Sequence, residues 1–329
     1  MNASSVHPPQ NMPQRIVFMG TPPFATASLA ALVEAGFDVA AVVTAPDRPA
    51  GRGQQLRMSA VKEYAMAHPV LRDRILQPEK LKDPDFHARL DATGASLYVV
   101  VAFRMLPEVV WKRPELGTIN LHASLLPDYR GAAPINWAVI NGETRTGVTT
   151  FFIRQEIDTG DVIGREETSI GPDETAGEVH DRLMAIGARL VVRTVGNILA
   201  GRVSPVPQSD SPALHTAPKL TPDNCRIGWS GSARNVHDHI RGLSPWPGAW
   251  SKLIIGDRPE QHFKILNTRV VANTGNGQAG RVEWIDERFI IHCGSGTIEA
   301  LELQAEGKKR MDAASFIRGL QGEPVLRFI

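Results

Sequence analysis

The chain is predicted to fold as an α/β protein, a doubly wound, Rossmann-like parallel sheet followed by an OB-like β-barrel domain. Three observations predict it. Arg15-Ile16-Val17-Phe18-Met19-Gly20 is an apolar strand stopped by glycine, a helical stretch follows over 24–36, and Asp38–Val43 reads as the next strand. That β-turn-α-β opening argues for a parallel sheet. The continuous apolar run Ala95-Ser96-Leu97-Tyr98-Val99-Val100-Val101 suits a central strand covered on both faces. Finally, a proline-rich stretch over 201–224 is followed by short alternating segments at 249–255, 262–271, 280–285, 289–293 and 297–303. With the helix expected over 232–243, five such strands suggest a small barrel, a common host for nucleic acid or oligosaccharide.

Between these landmarks the elements follow local rules. The first turn, Gly20-Thr21-Pro22-Pro23, lacks G-x-G-x-x-G, which argues against a dinucleotide and hence against a dehydrogenase. The segment from Thr44 to Arg57 has no period, two prolines, two glycines and three arginines. It is expected to be an exposed loop, either a solvated connector or a flexible basic finger for phosphates. Residues 59–66 read as a helix, 118–122 as a strand, 134–140 as a short helix with proline in its first turn, and 147–153 as a strand. Glu156-Ile157-Asp158-Thr159-Gly160-Asp161 is a turn rich in acceptors, and 175–199 is a long helix capped by Asp173 or Thr175. The expected organisation is a disordered extension over 1–14, with Met12 an alternative start, a catalytic domain over 15–206, a linker over 207–223 and the barrel over 224–329.

Composition narrows the class of partner. With 329 residues and 42% apolar content, the chain can build two sizeable cores. No apolar run approaches the roughly 18 residues that span a bilayer, and the N-terminus lacks a signal-type apolar region. The only cysteines, Cys225 and Cys293, have neither metal nor redox spacing, so a cytoplasmic location is expected. Up to Pro218 there are 21 basic and 23 acidic residues, and beyond it 15 basic and 12 acidic. This mild tilt permits nucleic acid at the C-terminal part without demanding it. His237 and His239 tempt as metal ligands, but on a helix i and i+2 diverge by about 200°. They are read as part of a solvated helix, and no metal is expected.

The stretch around which the chemistry gathers is Thr118-Ile119-Asn120-Leu121-His122, running on into Ala123-Ser124-Leu125-Leu126-Pro127. On a strand, Asn120 and His122 share a face, so an amide and an imidazole stand side by side where α/β sheets place their sites. By itself an Asn-x-His pair is more often two solvated residues on an edge strand. The longer string, continuing as Tyr129-Arg130-Gly131-Ala132-Ala133-Pro134-Ile135, resembles the signature of the folate-dependent formyltransferases. Within that family it is most similar to the branch that formylates methionyl-tRNA. Pro46-Asp47-Arg48-Pro49-Ala50-Gly51-Arg52-Gly53 carries the same branch resemblance, as do Ala217-Pro218-Lys219-Leu220, Ser244-Pro245-Trp246-Pro247-Gly248-Ala249 and Gly307-Lys308-Lys309.

The resemblance implies that 10-formyltetrahydrofolate is the co-substrate and that initiator Met-tRNA is bound through its acceptor arm; no membrane and no obligate protein partner are expected. It places catalysis on Asn120, His122 and Asp158. Asn120 would bind the oxyanion, His122 would bind it and relay protons, and Asp158 would orient His122 and relay protons, roles that suit an amide, an imidazole and a carboxylate. Folate would lie against Phe103, Ser124, Leu125, Leu126 and Pro127, and tRNA would meet Arg48, Gly51, Arg52 and Lys219. One departure stands out: Arg104 occupies a position where the family usually has glycine. Alternatives are a sugar-nucleotide formyltransferase, a formyltetrahydrofolate hydrolase, or a non-catalytic RNA-binding relative. The basic loop and barrel argue against the first two, and the intact Asn120, His122 and Asp158 against the third.

Overall fold

A computed structural model describes residues 14–50, 55–209, 214–275, 277–320 and 325–329. It divides into two compact units. The first holds the described residues up to Arg130, with Gly147–Thr168 and Asp181–His215, and the second holds Gly131–Thr146, Ser169–His180 and Thr216–Ile329.

In chain order the elements begin with β1 (Arg15–Gly20), α1 (Pro23–Glu34), β2 (Asp38–Val43), β3 (Arg48–Ala50) and β4 (Gln55–Arg57). Next come α2 (Ala60–Ala67), β5 (Ile75–Leu76), α3 (Pro84–Ala92), β6 (Leu97–Val101), α4 (Glu108–Trp111) and β7 (Thr118–His122). Then follow β8 (Arg130–Gly131), α5 (Pro134–Ile140), β9 (Arg145–Phe152), β10 (Val162–Ser169) and α6 (Ala176–Leu199). Ser59 caps α2 by accepting from the Lys62 N–H, and Thr175 with Glu178 forms a reciprocal capping box at the start of α6.

The sheet of the first unit runs β10-β9-β7-β6-β1-β2-β5. β1 is parallel to both β2 and β6, β6 is parallel to β7, and β7 meets β9 antiparallel. Ile16, Val17, Phe18 and Met19 are fully buried, as a strand covered on both faces requires. The order reverses between β1 and β6, the switch point beside which open α/β sheets bind ligands. There a Cβ on Gly20 would come within 2.5 Å of the Ala25 Cβ and 3.0 Å of the Val101 carbonyl oxygen, so only glycine lets the turn close. β10 lies at the sheet edge and carries Arg165, Glu166 and Glu167, which discourages further strand pairing.

The segment from Thr44 to Arg57 is not the structureless loop its composition suggests. Arg48, Pro49 and Ala50 pair antiparallel with Arg57, Leu56 and Gln55. Its base is fixed as well, because Asp47 binds Lys62 at 2.5 Å and accepts from Gln77 at 2.8 Å.

The second unit continues with β11 (Thr216–Ala217), α7 (Ala233–Gly242), β12 (Ala249–Ile255), β13 (Gln261–Ala272) and β14 (Arg281–Ile285). β15 (Arg288–His292), β16 (Thr297–Ala305), β17 (Met311–Asp312), α8 (Ala313–Arg318) and β18 (Leu326–Phe328) complete it. Strand order β13-β12-β18-β14-β15-β16 closes on itself through β13–β16 pairing. Closure therefore takes six strands rather than the expected five, the sixth being β18. Register shifts along β13 let it bend between β12 and β16. Phe263, Phe289 and Phe328 fill the interior with Ile265, Ile291 and Leu303, and Trp229 stacks on Phe328.

The helix carrying His237 and His239 does not offer them to solvent. His237 is buried, with Nδ1 2.9 Å from the Thr268 hydroxyl and Nε2 facing the Asp173 carboxylate at 3.2 Å out of hydrogen-bond alignment. His239 turns to the Cys225–Arg226 backbone, and burial foremost lowers the pKa of both imidazoles. Their different surroundings agree with the divergence expected of i and i+2.

Candidate active site

The site forms at the C-terminal end of β7 and in the turn between β9 and β10. β7 sits between β6 and β9, with Asn120 opposite Val100 and Phe151, and His122 opposite Thr149. Asn120 is half-buried, and among the described residues its side-chain amide makes no hydrogen bond, leaving its donors uncommitted. His122 is buried. Its Nε2 lies 2.9 Å from the Tyr129 carbonyl oxygen. A carbonyl only accepts, so Nε2 carries the hydrogen and, in the neutral ring, Nδ1 is left as the acceptor. Nδ1 faces the Asp158 carboxylate at 3.6 Å.

The Tyr129 carbonyl thus holds the ring through Nε2, while the Asp158 carboxylate lies on its Nδ1 side. Tyr129 holds left-handed backbone geometry at φ 59°, and so does Asp158 at φ 56°. For residues other than glycine that conformation is uncommon, and it persists only where surrounding contacts demand it. At Asp158 the demand comes from Gly160, where a Cβ would stand 1.5 Å from the Phe152 carbonyl oxygen. The turn folds tightly onto the end of β9, and Phe152 donates its N–H to the Asp161 carbonyl at 3.0 Å. Asp161 is bound to Arg154 at 2.5 Å, so of the turn's two aspartates Asp158 is the one turned toward His122.

Of the loop residues expected to hold folate, Ser124 and Leu126 are buried and already engaged. Ser124 donates its hydroxyl to the Asp128 carbonyl at 2.6 Å, and Leu126 packs with Phe151 and Val162. Thr149 binds both, donating to the Ser124 carbonyl and accepting from the Leu126 N–H. These contacts shape the loop, whose Leu126-Pro127 peptide is cis, while Leu125 and Pro127 remain half-buried. Phe103 packs against the core beside β6. Arg104 binds the Pro78 and Glu79 carbonyls and lies 5.7 Å from the Phe103 ring centre, which pins the strand-end loop. Burial first, and then the nearby Arg48 cation, lower the Arg104 pKa from its ordinary value.

A family model described as formyl transferase matches residues 14–195, and one described as formyl transferase, C-terminal domain, matches residues 219–321. A methionyl-tRNA formyltransferase of Flavobacterium johnsoniae is 48% identical over 93% of this chain and 96% of its own length. One of Phocaeicola vulgatus is 50% identical, with 93% and 95% covered. The chain belongs to the methionyl-tRNA formyltransferase family. Among solved structures, an N-formyltransferase from Helicobacter canadensis has the same fold, with a TM-score of 0.63 at 19% identity over 88% of this chain and 98% of that one.

Of the residues expected to meet tRNA in this formyltransferase, Arg48 is exposed on β3 directly across from Arg57, and Lys219 is exposed after β11. Gly51 and Arg52 lie outside the described residues. Sequence reasoning missed Tyr129, Thr149 and Gln208. Tyr129 acts through a backbone carbonyl, which no side-chain motif encodes. Thr149 looks like an ordinary strand residue. Gln208 sits in the stretch read as a linker, yet it donates to the Asp158 and Gly160 carbonyls, each at 2.8 Å.

Proposed function

We propose that the chain transfers the formyl group of 10-formyltetrahydrofolate to the α-amino group of initiator methionyl-tRNA in the cytoplasm, giving N-formylmethionyl-tRNA for translation initiation. Family membership gives the reaction class. The observation that carries the assignment of the site is His122, whose Nε2 is committed to Tyr129 and whose Nδ1 faces Asp158, beside the uncommitted amide of Asn120. The amine attacks the formyl carbon, and a C–N bond forms as the carbonyl becomes an oxyanion. In this reading Asn120 and protonated His122 stabilise that oxyanion. Asp158 stabilises the imidazolium, and the pair takes the proton released by the amine and returns one to the folate nitrogen as its bond to carbon breaks. Tetrahydrofolate and the formylated aminoacyl ester are the products.

The assignment of tRNA contacts rests on charge placement. Like charges directly opposite each other on a two-stranded ribbon repel. Arg48 and Arg57 form such a pair, and a phosphate lying against the ribbon would relieve the repulsion. Arg48, Gly51, Arg52 and Lys219 are proposed to meet the tRNA, with Lys219 at its acceptor arm.

The test incubates the protein with Met-tRNA and 10-formyltetrahydrofolate and measures formyl-methionine and tetrahydrofolate together. Equal yields of the two are expected. Deformylation of the folate without formyl-methionine would indicate a hydrolase, and preferential formylation of a nucleotide-linked amino sugar would indicate a different acceptor.

A further inference from the structure

We propose that Gln208 is a positioning residue for Asp158, acting from the stretch after α6 to aim the carboxylate at His122. The inference rests on the reading of Asp158 as the proton-relay partner of His122. Val206 anchors the segment, since its N–H and carbonyl pair with those of Val162 at 2.9 and 2.8 Å. Two residues later, Gln208 is half-buried. Its amide nitrogen donates to the Asp158 and Gly160 carbonyls, both at 2.8 Å, and its oxygen accepts from Arg130 Nε at 3.1 Å and Nη2 at 2.8 Å. Carbonyls only accept and a guanidinium only donates, so the orientation of the amide is fixed by its partners. Both N–H groups and both acceptor positions are used.

The connections tie together the two sides of the proposed relay. Arg130 directly follows Tyr129, whose carbonyl holds His122 Nε2, while Gln208 holds the backbone of Asp158 itself. Both Tyr129 and Asp158 occupy left-handed conformations that need outside contacts to persist. Gln155, Glu156 and Ile157, which lead into Asp158, are exposed and supply little packing of their own. A bond at each end of one amide therefore keeps the His122–Asp158 spacing within narrow limits. Such positioning affects rate rather than binding, since a displacement of about 1 Å can cost roughly a hundredfold.

Gln208→Glu keeps the size and an acceptor for Arg130 but loses both donors and sets a carboxylate oxygen against two carbonyl oxygens. Gln208→Ala removes every bond. Formylation of Met-tRNA by full-length protein should show kcat reduced about ten- to a hundredfold in both variants, with KM for both substrates within about twofold of the parent. The informative measurement is the double variant. If Gln208 works through Asp158, adding Gln208→Glu to Asp158→Asn slows the enzyme by less than about twofold beyond Asp158→Asn alone. Independent, multiplying losses would overturn the inference, as would a near-parental kcat for Gln208→Glu in a protein that Asp158→Asn cripples. Near-parental kcat for Asp158→Asn would instead overturn the underlying reading of Asp158, and the inference with it. Should Gln208→Ala fail to fold, Gln208→Glu and the double variant decide the matter.

Discussion

Replacing Asp158 by asparagine removes a charge while leaving the backbone of its turn nearly undisturbed. Asparagine tolerates the left-handed conformation that Asp158 adopts at φ 56°, so little strain is added. The side chains of His122 and Asp158 are 7% and 14% exposed and 3.6 Å apart at Nδ1 and Oδ2. For opposite unit charges at that spacing, an effective dielectric of about 20 gives an attraction of about 4–5 kcal/mol. If His122 is an imidazolium in the transition state, losing that attraction should lower kcat by about three powers of ten. KM for both substrates should change less than about threefold, because the lost interaction belongs to the charged transition state. Initial rates of Met-tRNA formylation at saturating folate measure both quantities, with circular dichroism and thermal melting to establish that the variant is folded. A folded Asp158→Asn enzyme with kcat within tenfold of the parent would refute the charge-stabilisation argument.

Other substitutions probe different parts of the molecule. His122→Ala should lower kcat by about 10²–10³ while tRNA affinity changes little, as measured by formylation rates and direct binding. Arg48→Ala and Arg52→Ala should each weaken use of Met-tRNA and flatten the salt dependence of its binding by about one unit of log–log slope, and an unchanged slope would reduce the ribbon to a connector. In the barrel, burial works against the Glu299 charge, but hydrogen bonds from Arg288 and then Arg269 outweigh it and hold the carboxyl below its ordinary 4.5. A depressed carboxylate stabilises the fold above its unfolded pKa, and that contribution fades as pH falls through the folded value. Glu299→Gln should thus lower Tm by about 2–4 °C at pH 7, with the gap to the parent closing below about pH 4.5 in melts across pH.

The sequence by itself determined the elements that obey local rules. β1, β2, β6 and β7 are legible because apolar runs with a glycine just before them or at their end have few alternatives, and α5 begins at Pro134 where proline costs nothing. Asn120 and His122 share a face through strand geometry alone, so that half of the candidate site was legible too. Strand β10 was missed because Arg165, Glu166 and Glu167 hide its pattern, and β18 because three residues are too few to carry one. The pairing of β18 with β12 and β14 is what makes it a strand, and that pairing closes the barrel. Composition likewise gave the Arg48–Arg57 segment no structure, since a ribbon is decided by pairing between its arms. His237 was misjudged because only the packed unit shows which helix face is covered. At the candidate site, tertiary structure decided that the Tyr129 carbonyl meets Nε2 of His122, and that Gln208, fifty residues beyond Asp158, grips its carbonyl. Those choices depend on backbone carbonyls and left-handed turns, groups that every residue carries and no side-chain pattern announces, so they become specific only when distant segments are brought within hydrogen-bond reach.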